Sequence, residues 1–179
     1  MGSTLTVDTI VGATTAGKVK MPAGNIIQTE FVYCTNSVSI DTNNTYTDIT
    51  GSSVTITPKF SNSKILVETF CQVYLGNNVS ANTWSSCNMR LLRGSTVITP
   101  PDSGGTNDYF VATYGGDASR EMMYGMLSQV DTPNTTSATT YKLQCNMRHG
   151  YDADSLIYVN RYGRGMIKAT EISQWVLYS

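Results

Sequence analysis

A chain of 179 residues is long enough to bury one sizeable core and too short for two of ordinary size. Only 14% of the residues are charged, against roughly 25% in most soluble domains, and Thr, Ser, Asn and Gly take their place. The net charge of −1 leaves no basic footprint, which argues against a nucleic-acid partner, and no apolar run approaches the length of a membrane span.

Residues 1–24 form an N-terminal arm distinct from the rest. Leu5, Val7, Thr9 and Val11 alternate with Thr4, Thr6, Asp8 and Ile10, which predicts a short strand. Gly12–Gly17 turns it into a second short strand, Lys18–Met21, stopped by Pro22. The arm has too few apolar residues to fold alone, so Leu5, Val7, Ile10 and Val11 are read as an anchor to other chains or to a platform.

The body, residues 25–179, opens with weak alternation over Ile26–Tyr33, then a polar, loop-rich stretch at Thr35–Asn44. Tyr46–Thr50 leads through Gly51 into VTITPKFSNSKILVETFCQVYL, Val54–Leu75, where two β-branched runs flank a break at Pro58–Ser63 and read as a hairpin. Lys64–Leu75 is the cleanest strand signal in the chain. Ile65, Val67, Thr69, Cys71, Val73 and Leu75 fall on one face, fit for a core. Leu66, Glu68, Phe70, Gln72 and Tyr74 fall on the other, a mixed aromatic face suited to a neighbouring subunit. Asn77–Ser86 reads as a polar loop carrying Trp84, and Cys87–Leu92, Thr96–Thr99 and Tyr109–Tyr114 as strands around the exposed loop Pro100–Asn107. Met122–Val130 alternates with Met122, Tyr124, Met126, Ser128 and Val130 on one side, and Tyr141–Met147 follows after a loop around Pro133. Leu156–Val159 and Gly165–Tyr178, with an apolar end at Trp175–Tyr178, close the chain. Short strands every 8–12 residues, with no helical periodicity, predict an all-β fold, an antiparallel β-sandwich or jelly roll.

Few residues invite chemistry. Gly12–Lys18 has the spacing of a phosphate-cradling loop, but Val19 stands where a magnesium ligand is needed, and Pro22 denies the following helix. Gly2 and Thr6 fit a myristoylation pattern only loosely, and three Asn-x-Ser/Thr matches read as surface loops. His149, the sole histidine, sits in a polar loop with no nucleophile motif nearby. Asp152 and Asp154 lack the further ligands of a calcium loop. Cys34, Cys71, Cys87 and Cys145 have no metal spacing and read as free, buried thiols of a protein made in a reducing cytosol. No catalytic, cofactor or metal residue is assigned. Trp84, Tyr109, Tyr114 and Tyr151, in or beside loops, are the candidates for stacking on a sugar or anchoring a protein partner.

Ser53–Glu68, Asn88–Ile98, Thr139–Cys145 and Tyr158–Ile172 resemble segments of small virion structural proteins of tailed phages, and the arm resembles the lead-in that precedes this module in phage fibre proteins. The order of segments also resembles the jelly roll of tumour necrosis factor and complement heads. The resemblance implies a homotrimer on the particle exterior, made in the host cytoplasm, with capsid, tail or collar proteins as partners and no enzymatic activity. A capsid decoration or cement protein, or a short fibre, is the expectation. The alternative is a tail-fibre tip that recognises a host surface glycan or protein. By analogy, the trimer and core residues lie on Lys64–Leu75 and Gly165–Ser173: Ile65, Val67, Phe70, Cys71, Val73, Tyr74, Met166, Lys168, Thr170 and Ile172.

Overall fold

The computed structural model describes residues 23–76, 84–99, 111–114, 120–149, 156–163 and 165–174. Eleven strands run through them: β1 (Ile26–Tyr33), β2 (Val38–Ile40), β3 (Tyr46–Ile56), β4 (Lys64–Gly76), β5 (Trp84–Arg93), β6 (Thr96–Val97), β7 (Val111–Tyr114), β8 (Arg120–Asp131), β9 (Thr139–His149), β10 (Leu156–Val159) and β11 (Gly165–Ile172). Every pairing between these strands is antiparallel. They form two sheets packed face to face, a β-sandwich with jelly-roll wiring.

The first sheet is built on β4. One edge of β4 carries β8 along its whole length. The other edge is shared: β11 pairs with Lys64–Cys71 and β10 with Val73–Gly76, with β1 and β2 beyond them. Gln72 falls at the join, and Asn160 fills it. The Gln72 carbonyl accepts from the Asn160 N–H at 2.7 Å, and the Gln72 N–H donates to Asn160 Oδ1 at 3.3 Å. Asn160 reaches this position with φ at 57°, a left-handed conformation that Asn tolerates better than most residues. The second sheet runs β3-β9-β5-β6, with β7 also on β5.

The expected hairpin across Pro58–Ser63 does not exist. β3 pairs with β9 in one sheet, while β4 lies in the other, so the break at Pro58 is a crossing between layers. Tyr46–Ile56 is one strand rather than two. Its register shifts between Asp48 and Ser53, where Gly51 has φ at 83°, and the shift turns both Ile49 and Val54 inward. β2 lies inside the stretch expected to be loop, and His149 ends β9 rather than sitting in a loop.

The inward faces interlock. Ile65, Val67, Cys71, Val73 and Leu75 of β4 are fully buried against Leu91, Tyr141, Leu143 and Met147 from the opposite sheet. Leu127 packs against both halves of this core. At one end Asp131 of β8 ties the layers together, accepting from Arg93 Nη1 at 2.9 Å and from the buried Tyr141 hydroxyl at 2.8 Å. Burial, and then the carboxylate beside it, push the Tyr141 hydroxyl's pKa up. At the same end Glu171 faces inward from β11 and is fully buried. Its carboxylate accepts from the N–H groups of Lys59 and Phe60, from Ser63 Oγ at 2.7 Å and from Gln28 Nε2 at 2.6 Å. The four cysteines are free and buried, and burial raises the pKa of Cys34, Cys71 and Cys145.

Candidate interaction face

Period two sends Leu66, Glu68, Phe70, Gln72 and Tyr74 to the outside of the β4 sheet, and register decides what stands beside them. Across the ladder, Tyr33, Met166, Phe70 and Met126 make one row, and Phe31, Lys168, Glu68 and Ser128 the next. A third row holds Thr29, Thr170, Leu66 and Val130. Toward the other end Gln72 faces Tyr124, and Tyr74 lies between Tyr158 and Met122.

β8 is inverted with respect to its own pattern. Its more apolar side, Met122, Tyr124, Met126 and Val130, points outward, while Met123, Gly125, Leu127 and Gln129 face the opposite sheet. Pairing with β4 forces this, because a one-residue slip would reverse every side chain. Tyr33, Met126, Phe31 and Tyr124 stay 69%, 67%, 54% and 51% exposed. The rings are ordered among themselves: Phe70 stacks on Tyr124 at 5.3 Å, and Phe31 meets Tyr33 edge-on at 5.5 Å. The row of Lys168 and Glu68 forms a 2.7 Å ion pair, so these two charges cancel within the face.

Arg161 closes one end of the face. It lies in the turn between β10 and β11, and its guanidinium sits 4.4 Å from the Tyr74 ring centroid, 4.6 Å from Tyr158 and 5.8 Å from Tyr162.

The outside of the other sheet is polar. Arg90 reaches across β9 to lie over the Tyr46 ring at 3.7 Å, and its Nε donates to Gln144 Oε1 at 2.8 Å. Gln144 and Lys142 both donate to Asp48, and these two hydrogen bonds hold its carboxyl below the usual range. Asn88 and Asn146, directly opposite each other, are buried beside this network.

The residues singled out by sequence divide between these layers. Ile65, Val67, Cys71 and Val73 are core. Phe70, Tyr74, Met166, Lys168, Thr170 and Ile172 share the outer face, brought together because β11 pairs directly with β4. Trp84 is not in a loop: it begins β5, opposite Tyr114 at the end of β7. Leu5, Val7, Ile10, Val11, Tyr109 and Tyr151 lie outside the described residues, as do residues 175–179. Phe31, Tyr33, Met126 and Arg161 belong to the face and were not singled out. The alternation of β8 was a usable signal for Met126, whereas the local marks of Arg161 are only its flanking Tyr158 and Tyr162. Among the described residues no three His, Cys, Asp or Glu side chains gather as a metal site. No family model matches the chain, and no curated protein matches it.

Proposed function

We propose that this chain is a non-enzymatic structural protein of a tailed-phage particle, a homotrimer displayed on the exterior as a capsid decoration or cement protein or as a short fibre. The observation that carries the assembly reading is the outer face of the β4 sheet. Six of the ten large apolar side chains left exposed among the described residues, Phe31, Tyr33, Met122, Tyr124, Met126 and Val130, stand on it. About half of three rings of roughly 150–250 Å² each, with two methionines and a valine, leaves roughly 500 Å² of apolar surface bare. That is near the upper limit for a monomer and marks a contact surface. Low charge and internally paired ions fit contact with copies of the same chain. The number of copies, the place on the particle and the partner proteins of capsid, tail or collar rest on the resemblance of the sequence segments.

The test is the light-scattering mass of the full chain, with Met126→Asp beside it. Three chains are expected for the parent, and a shift to single chains for the variant, because a charge buried in an apolar contact is costly unless paired. Peroxide footprinting adds a local readout: Met126 should resist oxidation in the assembled protein and oxidise readily in the variant-free monomer obtained by dilution. A parent that is monomeric at every concentration refutes the reading. Density for the protein on intact particles then separates a head-wide lattice from a tail position.

A further inference from the structure

We propose that Arg161 is the polar anchor of this face, and that its guanidinium takes a carboxylate from the β1–β2 edge of a second copy. The proposal rests on the reading that copies meet through the outer face.

Arg161 differs from the cations of the described sheets that hold a carboxylate; like Arg90, which lies over Tyr46, it rests on aromatic rings instead. Arg93 is paired with Asp131, Lys142 with Asp48 and Lys168 with Glu68. No described carboxylate pairs with Arg161; its partners are the rings of Tyr74, Tyr158 and Tyr162. The rings displace water from the flat faces of the guanidinium and leave its N–H edge as the group that still needs acceptors. Its place is fixed from below. Asn160 is locked into the β4 join, and the Gly163 N–H donates to the Asn160 carbonyl at 2.8 Å, so the turn that carries Arg161 is tied at both ends. Preorganisation of this kind removes much of the side-chain entropy that usually makes a surface arginine a weak contact.

The acidic residues narrow the partner. Asp48, Glu68 and Asp131 are held by cations, and Glu171 is buried under its own donors. Glu30, on β1, and Asp41, just past β2, are the exposed carboxylates among the described side chains without a cation of their own. β1 and β2 both lie beyond the β11–β10 side of β4, away from β8, so these two charges mark a single edge of the sandwich. An acidic edge on one copy and a guanidinium on the face of the next bring opposite charges together across the contact. The pair sits at the rim of the apolar patch, where charge sets register and partner choice.

The experiment compares full-length Arg161→Glu, Arg161→Gln and Met126→Asp with the parent by mass against concentration at low and moderate salt. Arg161→Glu is expected to raise the dissociation concentration on the order of tenfold or more, with Arg161→Gln intermediate. Adding Glu30→Arg or Asp41→Arg to Arg161→Glu should restore assembly to within a few-fold of the parent, a rescue that a merely structural role for Arg161 would not give. The parent's own dissociation should rise with salt more steeply than that of Arg161→Gln. An Arg161→Glu protein that assembles like the parent overturns the anchor, and so does a loss that neither reversal repairs. If Met126→Asp dissociates while Arg161→Glu does not, the face stands and the anchor falls. A monomeric parent removes the face itself.

Discussion

Removing the Glu171 carboxylate should be among the costliest single changes in this protein. The side chain is fully buried on the core side of β11, yet it meets no cation; four donors converge on it instead. Two are the backbone N–H groups of Lys59 and Phe60, at 2.8 and 3.2 Å, in the segment that carries the chain from the β3 layer to the β4 layer. Ser63 supplies a hydroxyl, and Gln28 an amide that also donates to the Thr57 carbonyl at 2.7 Å. Glu171→Ala strips the acceptor from all four. A buried donor left unpaired costs about 1–3 kcal/mol. Lys59 is exposed and Phe60 half-buried, so water can reach part of the cradle, and about 3–5 kcal/mol is the expected net loss. Glu171→Gln keeps one acceptor oxygen but sets its amide donors against those of Gln28, and about 1–3 kcal/mol is expected. Urea unfolding at matched protein concentration measures both. A loss below about 1 kcal/mol for Glu171→Ala would show that the crossing segment holds its place without the carboxylate.

Four further outcomes follow from the same geometry. Asp131→Ala leaves the Tyr141 hydroxyl buried without an acceptor and frees Arg93, and should cost about 2–4 kcal/mol in the same unfolding experiment. Gly165→Ala would place a Cβ 2.5 Å from Asn160 Oδ1, and because that amide is held by Gln72, a loss of about 1–3 kcal/mol is expected. Asp48→Asn should cost well under about 1 kcal/mol, since the carboxylate is largely exposed. Its sign with pH is fixed: the folded pKa is depressed, so the contribution of Asp48 is present above the unfolded pKa and vanishes as pH falls through the folded one, where parent and variant should unfold alike. The four thiols, buried and with raised pKa at Cys34, Cys71 and Cys145, should react with a thiol reagent only as fast as the protein opens.

How much of this was legible in the sequence depends on whether the signal was local. β4 was, because six alternating positions from Ile65 to Leu75 leave no other period, and all six are buried. The crossing at Pro58 was not: a hairpin and a layer change share the same turn residues, and only the pairing of β3 with β9 distinguishes them. β2 was hidden because three residues, Val38–Ile40, carry no periodicity and form a strand only where β10 offers an edge. Trp84 reads as loop because polar residues precede it, although the ladder with β7 starts there. The Glu171 cradle and the Arg161 cage were out of reach for a common reason. Parts of each lie far apart in the chain: the Glu171 carboxylate bonds residues more than 100 positions away, and Tyr74 reaches Arg161 from β4, although Tyr158 and Tyr162 flank it locally.

β8 shows why a legible pattern can still mislead, and what that means for function. Read alone, its apolar side of Met122, Tyr124, Met126 and Val130 belongs in a core. The partner strand overrules it. β4 commits its cleaner face to the interior, and because opposed residues in an antiparallel ladder share a face, β8 must present its apolar side where β4 presents Leu66, Phe70 and Tyr74. A chain selected only to be stable as a monomer would gain by exchanging these exposed residues for Thr, Lys or Glu, which suit the solvent side of a strand and suppress association. This chain keeps them and places Lys168 against Glu68 among them, so the two charges neither repel a like face nor need an outside partner. Apolar surface retained together with internally balanced charge suits a contact between copies, and it is the physical ground for the proposal that the outer face of the β4 sheet is a contact surface.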